Sequence, residues 1–182
     1  MPEYDIDFAA KLAKVADKVD EQDPWAYDAR RVTIYLSRLS AELTMKALLE
    51  QAGVPIAEIR ARSHNLRKLL EDIGKCEVEV EIAPGTRLWV PASRVRAVSI
   101  ELGVAQVPIG AIIDAEDDGA SQYPNQIRYG ESYTDFDPSL VSQMALLLSE
   151  WAQTHWSSIR RITVTANTSV NLDAPKAARP LP

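Results

Sequence analysis

Residues 25–53 read WAYDARRVTIYLSRLSAELTMKALLEQAG, and this stretch decides the fold class. Its apolar residues recur every three or four positions, which predicts a helix with two apolar sides. One side carries Val32, Leu36, Leu39, Leu43 and Ala47, and the other carries Ile34, Ala41, Met45 and Leu48. Gly53 and then Pro55 mark its end. A helix that is apolar on two sides belongs near the centre of a helical bundle.

Two polar seams run between these apolar sides. The small seam consists of Thr33, Ser37, Ser40 and Thr44. The charged seam consists of Arg31, Arg38, Glu42 and Lys46. Small side chains let another helix approach closely. The charged seam has two interpretations: a solvated surface with ion pairs between successive turns, or a charged groove along a central helix.

The segment SHNLRKLLEDIG, residues 63–74, predicts a short amphipathic helix. Its apolar face carries Leu66, Leu69, Leu70 and Ile73. Ser63 or Asn65 is the expected N-cap. His64 lies at the positive end of the helix dipole, which disfavours the charged imidazole. It serves either to fix the start of the helix or to bind a ligand, and the sequence leaves both roles open.

The regions on either side of these helices supply a further helix and a hairpin. Residues 6–19 predict a first helix with one apolar face. That face carries Phe8, Leu12, Val15 and Val19. Apolar residues alternate with glutamates over 76–82, which is typical of a strand. Turn residues and a second apolar run follow, so residues 76–90 predict a small β-hairpin inserted into the bundle.

The second half of the chain predicts two more helices, over 91–106 and 138–161. In the later helix His155 follows Trp151 by one turn, and we expect it to be a core residue. The helices and the hairpin together form one expected domain, 1–162. Residues 163–182 have no periodicity and are expected to be a flexible tail.

Composition excludes several classes of protein. The chain has 182 residues, a net charge of −6 and one cysteine, so a disulfide framework, a cysteine zinc site and a large basic surface are not expected. It has no glycine-rich phosphate loop and no pattern of metal ligands, so we expect no cofactor and no metal. It lacks a signal peptide and an apolar run of membrane-spanning length, which predicts a cytoplasmic protein without a membrane partner.

Three stretches together resemble the HEPN family of small helical-bundle proteins. YLSRLSAELTMKALLEQAG, 35–53, is similar to the long second helix of the family. SHNLRKLL, 63–70, is similar to its short third helix, which often begins with a histidine. YPNQIRYG, 123–130, is similar to the loop rich in Tyr and Arg that precedes its last helix. The order and spacing of the three carry the resemblance, which covers about residues 5–160 except for a middle stretch.

The resemblance implies a mainly α, up-and-down helical bundle that forms a homodimer. It also implies work on RNA or nucleotides, or on a minimal nucleotidyltransferase partner in a toxin–antitoxin or defence-type system. Many HEPN proteins are metal-independent ribonucleases, with a signature of Arg, four to six residues and then His. Here Arg128 is followed after four residues by Tyr133, so the signature histidine is missing.

Three functional hypotheses follow from this resemblance. A binding module would contact RNA or nucleotide through Arg128, Tyr129, Tyr133, Arg38 and Glu42. A ribonuclease with a degenerate Arg-x4-Tyr motif would use Arg128 with Tyr133 or His64. A non-catalytic dimeric scaffold would use the small seam, Thr33, Ser37, Ser40 and Thr44, as its dimer face.

Overall fold

The computed structural model describes residues 2–117, 124, 127 and 137–162. Its helices are α1 (Ile6–Gln22), α2 (Tyr27–Gln51), α3 (Ile56–Ala61), α4 (Leu66–Ile73), α5 (Ile109–Asp117) and α6 (Pro138–His155). Its strands are β1 (Cys76–Ala83), β2 (Thr86–Pro91), β3 (Ser99–Leu102), β4 (Ala105–Pro108) and β5 (Ile159–Arg161). The described chain is therefore mainly helical with small antiparallel sheets, as the sequence predicts at that level. The tail, 163–182, lies outside the described residues.

The small seam of α2 packs against α1 within the same chain. Its four residues are completely buried, and α1 presents three buried alanines to them, Ala9, Ala13 and Ala16. The Ser40 hydroxyl donates a hydrogen bond to the backbone oxygen of Ala9, with an oxygen–oxygen distance of 2.8 Å. Thr33, Ser37, Ser40 and Thr44 therefore join two helices of one chain. They do not form an exposed face for a second copy, because α1 already occupies it.

This contact also changes the expected orientation of α1. The apolar residues at 8, 12, 15 and 19 suggested the inward face, yet Phe8 is 51% exposed and Val15 48% exposed. The alanine face is buried instead. Alanine and small hydroxyl side chains allow two helix backbones to approach more closely than bulky side chains do. The better packing thus selects the alanines and leaves the larger side chains near the surface.

Helix α6 packs against both helices of the α1–α2 hairpin, on the side away from the exposed apolar residues of α1. Val141, Met144 and Leu148 are fully buried in that contact region. Polar side chains secure its first turns, because the Ser139 hydroxyl donates to the carboxylate of Asp20. Asp137 caps α6 by accepting from the backbone N–H of Ser139 at 3.1 Å.

The predicted hairpin at 76–90 is confirmed. Strands β1 and β2 pair antiparallel, with Val78 opposite Val90, around a turn in which Gly85 has φ +77°. The predicted helix over 138–161 ends earlier, at His155, because its last residues form β5 and pair with β1. The three-stranded sheet has the order β2-β1-β5 and covers one end of the bundle.

The predicted helix over 91–106 is wrong. The chain makes a 3-10 turn, Ala92–Ala97, and then the hairpin β3–β4. Gly103 adopts φ +62° at the turn of that hairpin, a conformation that favours glycine. Val95, Val98 and Ile100 in this segment are β-branched, which slightly disfavours a helix. Its helical spacing was therefore fortuitous.

We expect Ala13→Leu to lower the free energy of unfolding by about 1–3 kcal/mol, because a larger side chain cannot fit between α1 and α2. Lys14→Leu is the matched control, since Lys14 is the next residue of the same helix and is exposed. Urea unfolding followed by circular dichroism measures both. An Ala13→Leu protein as stable as the control would contradict the close approach of the two helices.

His155 gives the fold a pH dependence that can be measured. Its ring centroid lies 4.6 Å from that of Trp151, and burial lowers the pKa of His155. The unfolded chain therefore binds a proton more readily, so this contribution to stability is lost as the pH falls from about 6.5. We expect the stability difference between the wild type and His155→Gln to shrink over that range. A difference that is constant with pH would contradict the assignment.

Candidate functional site

A charged stripe runs along the face of α2 that points away from α1. Its members are Asp28, Arg31, Tyr35, Arg38, Glu42 and Lys46, at intervals of three or four residues. These positions share one side of the helix, and they span about 27 Å at 1.5 Å per residue. Burial distinguishes the two interpretations of this seam, a solvated surface or a charged groove. Arg38, Glu42 and Lys46 are buried, so the surface interpretation fails for the C-terminal half of the stripe.

The centre of the site is the carboxylate of Glu42. Its side chain is 4% exposed, and it lies between a cation and an imidazole. Lys46 Nζ donates to Glu42 Oε1 at 2.7 Å. His64 Nδ1 lies 3.0 Å from Glu42 Oε2 and 3.1 Å from Oε1. A buried carboxylate costs free energy unless it is paired, and here two neighbours provide that pairing.

This geometry decides which ring nitrogen of His64 carries the proton. A carboxylate only accepts hydrogen bonds, so Nδ1 is the donor toward Glu42. In the neutral imidazole Nε2 is then the basic nitrogen, and it lies on the side of the ring away from Glu42. The His64 side chain is 51% exposed. A half-exposed imidazole oriented by a buried carboxylate is an arrangement suited to proton transfer.

The local fold brings His64 to Glu42 through a short turn before α4. Ser63 adopts a positive φ of 52°, which is uncommon for a residue other than glycine. Asn65 is the N-cap of α4, because its side chain accepts from the backbone N–H of Lys68 at 2.8 Å. The sequence offered Ser63 or Asn65 as the N-cap, and Asn65 is the one confirmed. His64 does not cap α4, and its ring contacts Glu42 on the central helix.

The N-terminal segment closes one side of the cluster. The Glu50 carboxylate accepts from the backbone N–H groups of Glu3 and Tyr4, at 2.8 and 3.0 Å. This places the ring of Tyr4 beside Lys46, with 5.5 Å between Nζ and the ring centroid. The ammonium of Lys46 thus contacts a carboxylate and an aromatic face, which together stabilise it away from water.

A pocket of about 370 Å³ lies at the other end of the stripe. It is lined by Asp28, Arg31, Val32, Tyr35, Leu36 and Ile127. Arg31 Nε donates to the backbone oxygen of Ile127 at 2.6 Å, which joins this residue to α2. The pocket has an aromatic ring, aliphatic side chains and two charged groups, the composition expected of a small-ligand site.

The structure brings together some of the predicted site residues. Arg38, Glu42 and His64 lie in or beside one cluster, as the interpretation of a charged groove requires. The other predicted contacts, Arg128, Tyr129 and Tyr133, lie outside the described residues. Lys46 was recognised only as a member of the seam. Its spacing of four from Glu42 was the signal for the pair, but burial of the pair could not be read from spacing.

A second polar group was missed by the sequence analysis. The carboxylate of Asp114 on α5 lies between Arg67 and Arg96, and the Arg67 Nη2 group also donates to the backbone oxygen of Asp114 at 2.5 Å. Gly110 permits this approach, because a Cβ there would lie 3.1 Å from the Cβ and the backbone oxygen of Arg96. Arg67, Arg96 and Asp114 are far apart in the sequence, so no local motif predicts that they lie together.

Comparison with protein-family models, with curated proteins and with solved structures finds no match to this chain. Within the described residues, no three or more His, Cys, Asp or Glu side chains are grouped so that they could hold a metal ion. None of the described helices has both the length and the apolar character needed to cross a membrane.

We expect Glu42→Gln to lower the free energy of unfolding by about 3 kcal/mol, because it leaves the Lys46 ammonium buried without a carboxylate. Adding Lys46→Met to that variant should restore part of the loss. Glu150→Gln is the control, since Glu150 is exposed on α6 and its substitution should change stability by less than about 0.5 kcal/mol. Equal stabilities for Glu42→Gln and the control, measured by urea unfolding, would contradict a buried ion pair.

Proposed function

We propose that this chain is a HEPN-like helical-bundle module, homodimeric, that binds RNA or a nucleotide, or a nucleotidyltransferase partner, in a toxin–antitoxin or defence-type system. The observation that carries the proposal is the contact between the buried Glu42 carboxylate and the half-exposed His64 imidazole. It joins two of the three stretches on which the family resemblance depends, the long helix and the short helix that begins with a histidine.

The side chains at the other end of the charged stripe suit an anionic, aromatic ligand. Arg31 lies on the same face of α2 as Glu42 and is able to attract phosphate groups. Tyr35 lines the 370 Å³ pocket and supplies a ring on which a base can stack. Arg128 directly follows Ile127 in the sequence, and the backbone oxygen of Ile127 accepts from Arg31. These features support RNA or nucleotide as the ligand class, while the net charge of −6 argues against a broad duplex surface.

The same contact favours a second candidate function, a metal-independent ribonuclease. In that reaction His64 Nε2 accepts the proton of a ribose 2′-hydroxyl while the 2′-oxygen forms a bond to phosphorus. The bond from phosphorus to the 5′-oxygen breaks, and that oxygen takes a proton from an acid or from water. Glu42 accepts a hydrogen bond from Nδ1 and so orients the imidazole. Arg128 would stabilise the charge on the phosphate, and Tyr133 stands where the family signature has histidine.

One assay separates the candidates. The purified protein is incubated with mixed RNA in the presence of EDTA, and both retained complexes and cleavage products are measured on gels. His64→Ala and Arg128→Ala are the test variants. Lys68→Ala is the control, because Lys68 is exposed on α4, the helix that follows His64. All variants are first checked for unchanged unfolding by urea.

We expect the wild type and Lys68→Ala to bind RNA, and both test variants to bind it about tenfold more weakly, because each substitution removes one side-chain contact with the RNA. Cleavage that disappears in His64→Ala would establish the ribonuclease. Complexes without cleavage would establish the binding module. Neither complexes nor products would contradict both candidates and leave the non-catalytic scaffold.

A further inference from the structure

The pocket of about 370 Å³ combines apolar walls with a single carboxylate. Five of its six lining residues come from α2, with the spacing of one helix face. Two of the six are charged, Asp28 and Arg31. The others supply apolar or aromatic surface, namely Val32, Tyr35, Leu36 and Ile127. The pocket therefore places an acceptor of hydrogen bonds beside an apolar surface.

The apolar part of the pocket suits a nucleobase. The ring of Tyr35 supplies a face on which any base can stack. Side chains of a helix lean toward its N-terminus, so this ring leans toward the turns that carry Arg31 and Asp28. A base stacked on Tyr35 thus has one edge near the first turn of α2, where Asp28 lies.

The chemistry of Asp28 decides which base edge fits there. Asp28 is exposed, and an ionised carboxylate only accepts hydrogen bonds, through two oxygens that suit two neighbouring donors. Guanine carries two adjacent donors on its Watson–Crick edge, the ring N1–H and the 2-amino group. Adenine and cytosine place an acceptor beside their amino group, and uracil has an acceptor on each side of its N3–H. Guanine is therefore the base whose edge matches a carboxylate.

We propose that this pocket binds a guanine base, in a free guanine nucleotide or in RNA, and that Asp28 selects the base. This inference rests on the RNA or nucleotide binding proposed above and names the base that is bound. Arg31 offsets the charge of Asp28, so the lining residues carry no net charge that would repel the phosphate attached to the base.

The test measures dissociation constants for the full chain by isothermal titration calorimetry. The free ligands are GMP, AMP, CMP, UMP and IMP, which keeps the shape of GMP but lacks its 2-amino group. The RNA ligands are 2′-O-methyl pentanucleotides with guanine, inosine, adenine, cytosine or uracil between two uridines on each side. The methyl group blocks the attacking hydroxyl, so a ribonuclease would bind these ligands without cleaving them.

Asp28→Asn is the test variant, because its amide presents one acceptor and one donor in place of two acceptors. That pair matches the amino group and N1 of adenine. Asp7→Asn is the matched control, since Asp7 is an exposed aspartate in the first turn of α1 and lies outside the pocket. It makes the same change of charge at the start of a helix. Urea unfolding checks that both variants fold, and the comparison of GMP with IMP needs no variant.

We expect the wild type to bind the guanine ligand about tenfold or more tightly than those with adenine, cytosine or uracil, and about fivefold more tightly than the inosine ligand. In Asp28→Asn the guanine ligand should bind about tenfold more weakly and the adenine ligand more tightly. Asp7→Asn should keep the order of the wild type. This order with mononucleotides identifies a free nucleotide as the source of the base, and the order with pentanucleotides alone identifies RNA.

Ligands that all bind within about threefold of one another would overturn the selection of guanine and leave nucleotide or RNA binding standing. A guanine preference that persists in Asp28→Asn would overturn the role of Asp28. A chain that binds neither the mononucleotides nor the pentanucleotides would overturn this inference together with the proposed binding of RNA or nucleotide.

Discussion

The close approach of α1 and α2 is the constraint on which the rest of the structure depends. Alanines on one helix meet small hydroxyl side chains on the other, and the Ser40 hydroxyl bonds directly to the backbone of α1. Once these small residues are paired, the remaining sides of α2 are assigned by rotation about its axis. One apolar side packs against α6, the charged stripe meets the segments around α4, and the larger apolar residues of both helices lie on the remaining side, where Phe8, Val15 and Val32 are exposed.

The charged site is a consequence of the same rotation. Glu42 and Lys46 are turned away from α1 into the region that α4 and the N-terminal segment cover, so they are buried as a pair. Breaking such a pair is costly, and replacing it by apolar side chains is often harmless. The proposed function gives this pair a chemical role, because Glu42 also accepts from the His64 imidazole. The half-exposed His64 ring is the part of the cluster that a ligand is able to reach.

Local sequence signals were reliable where one interaction dominated. The hairpin around Gly85 and the end of α2 at Gly53 both follow from glycine at a positive φ. Over 91–106, helical spacing competed with the β-branched residues Val98 and Ile100 and with Gly103, and the chain forms a hairpin with that glycine at a positive φ in its turn. The last helix ends before residue 161 because residues 159–161 form β5 and pair with the edge of β1. Helical periodicity does not reveal this long-range pairing.

The sequence by itself determined the mainly helical class and the long central helix with its two polar seams. It also determined that Glu42 and Lys46 are neighbours on that helix, because they are four residues apart. All of these depend on local periodicity. Only the tertiary structure decided which seam is buried against a helix of the same chain, and that His64 meets Glu42. Both depend on how α1 and α4 are placed around α2. That placement follows from packing between residues distant in sequence, where the closest fit of small side chains outweighs the pattern of any single helix.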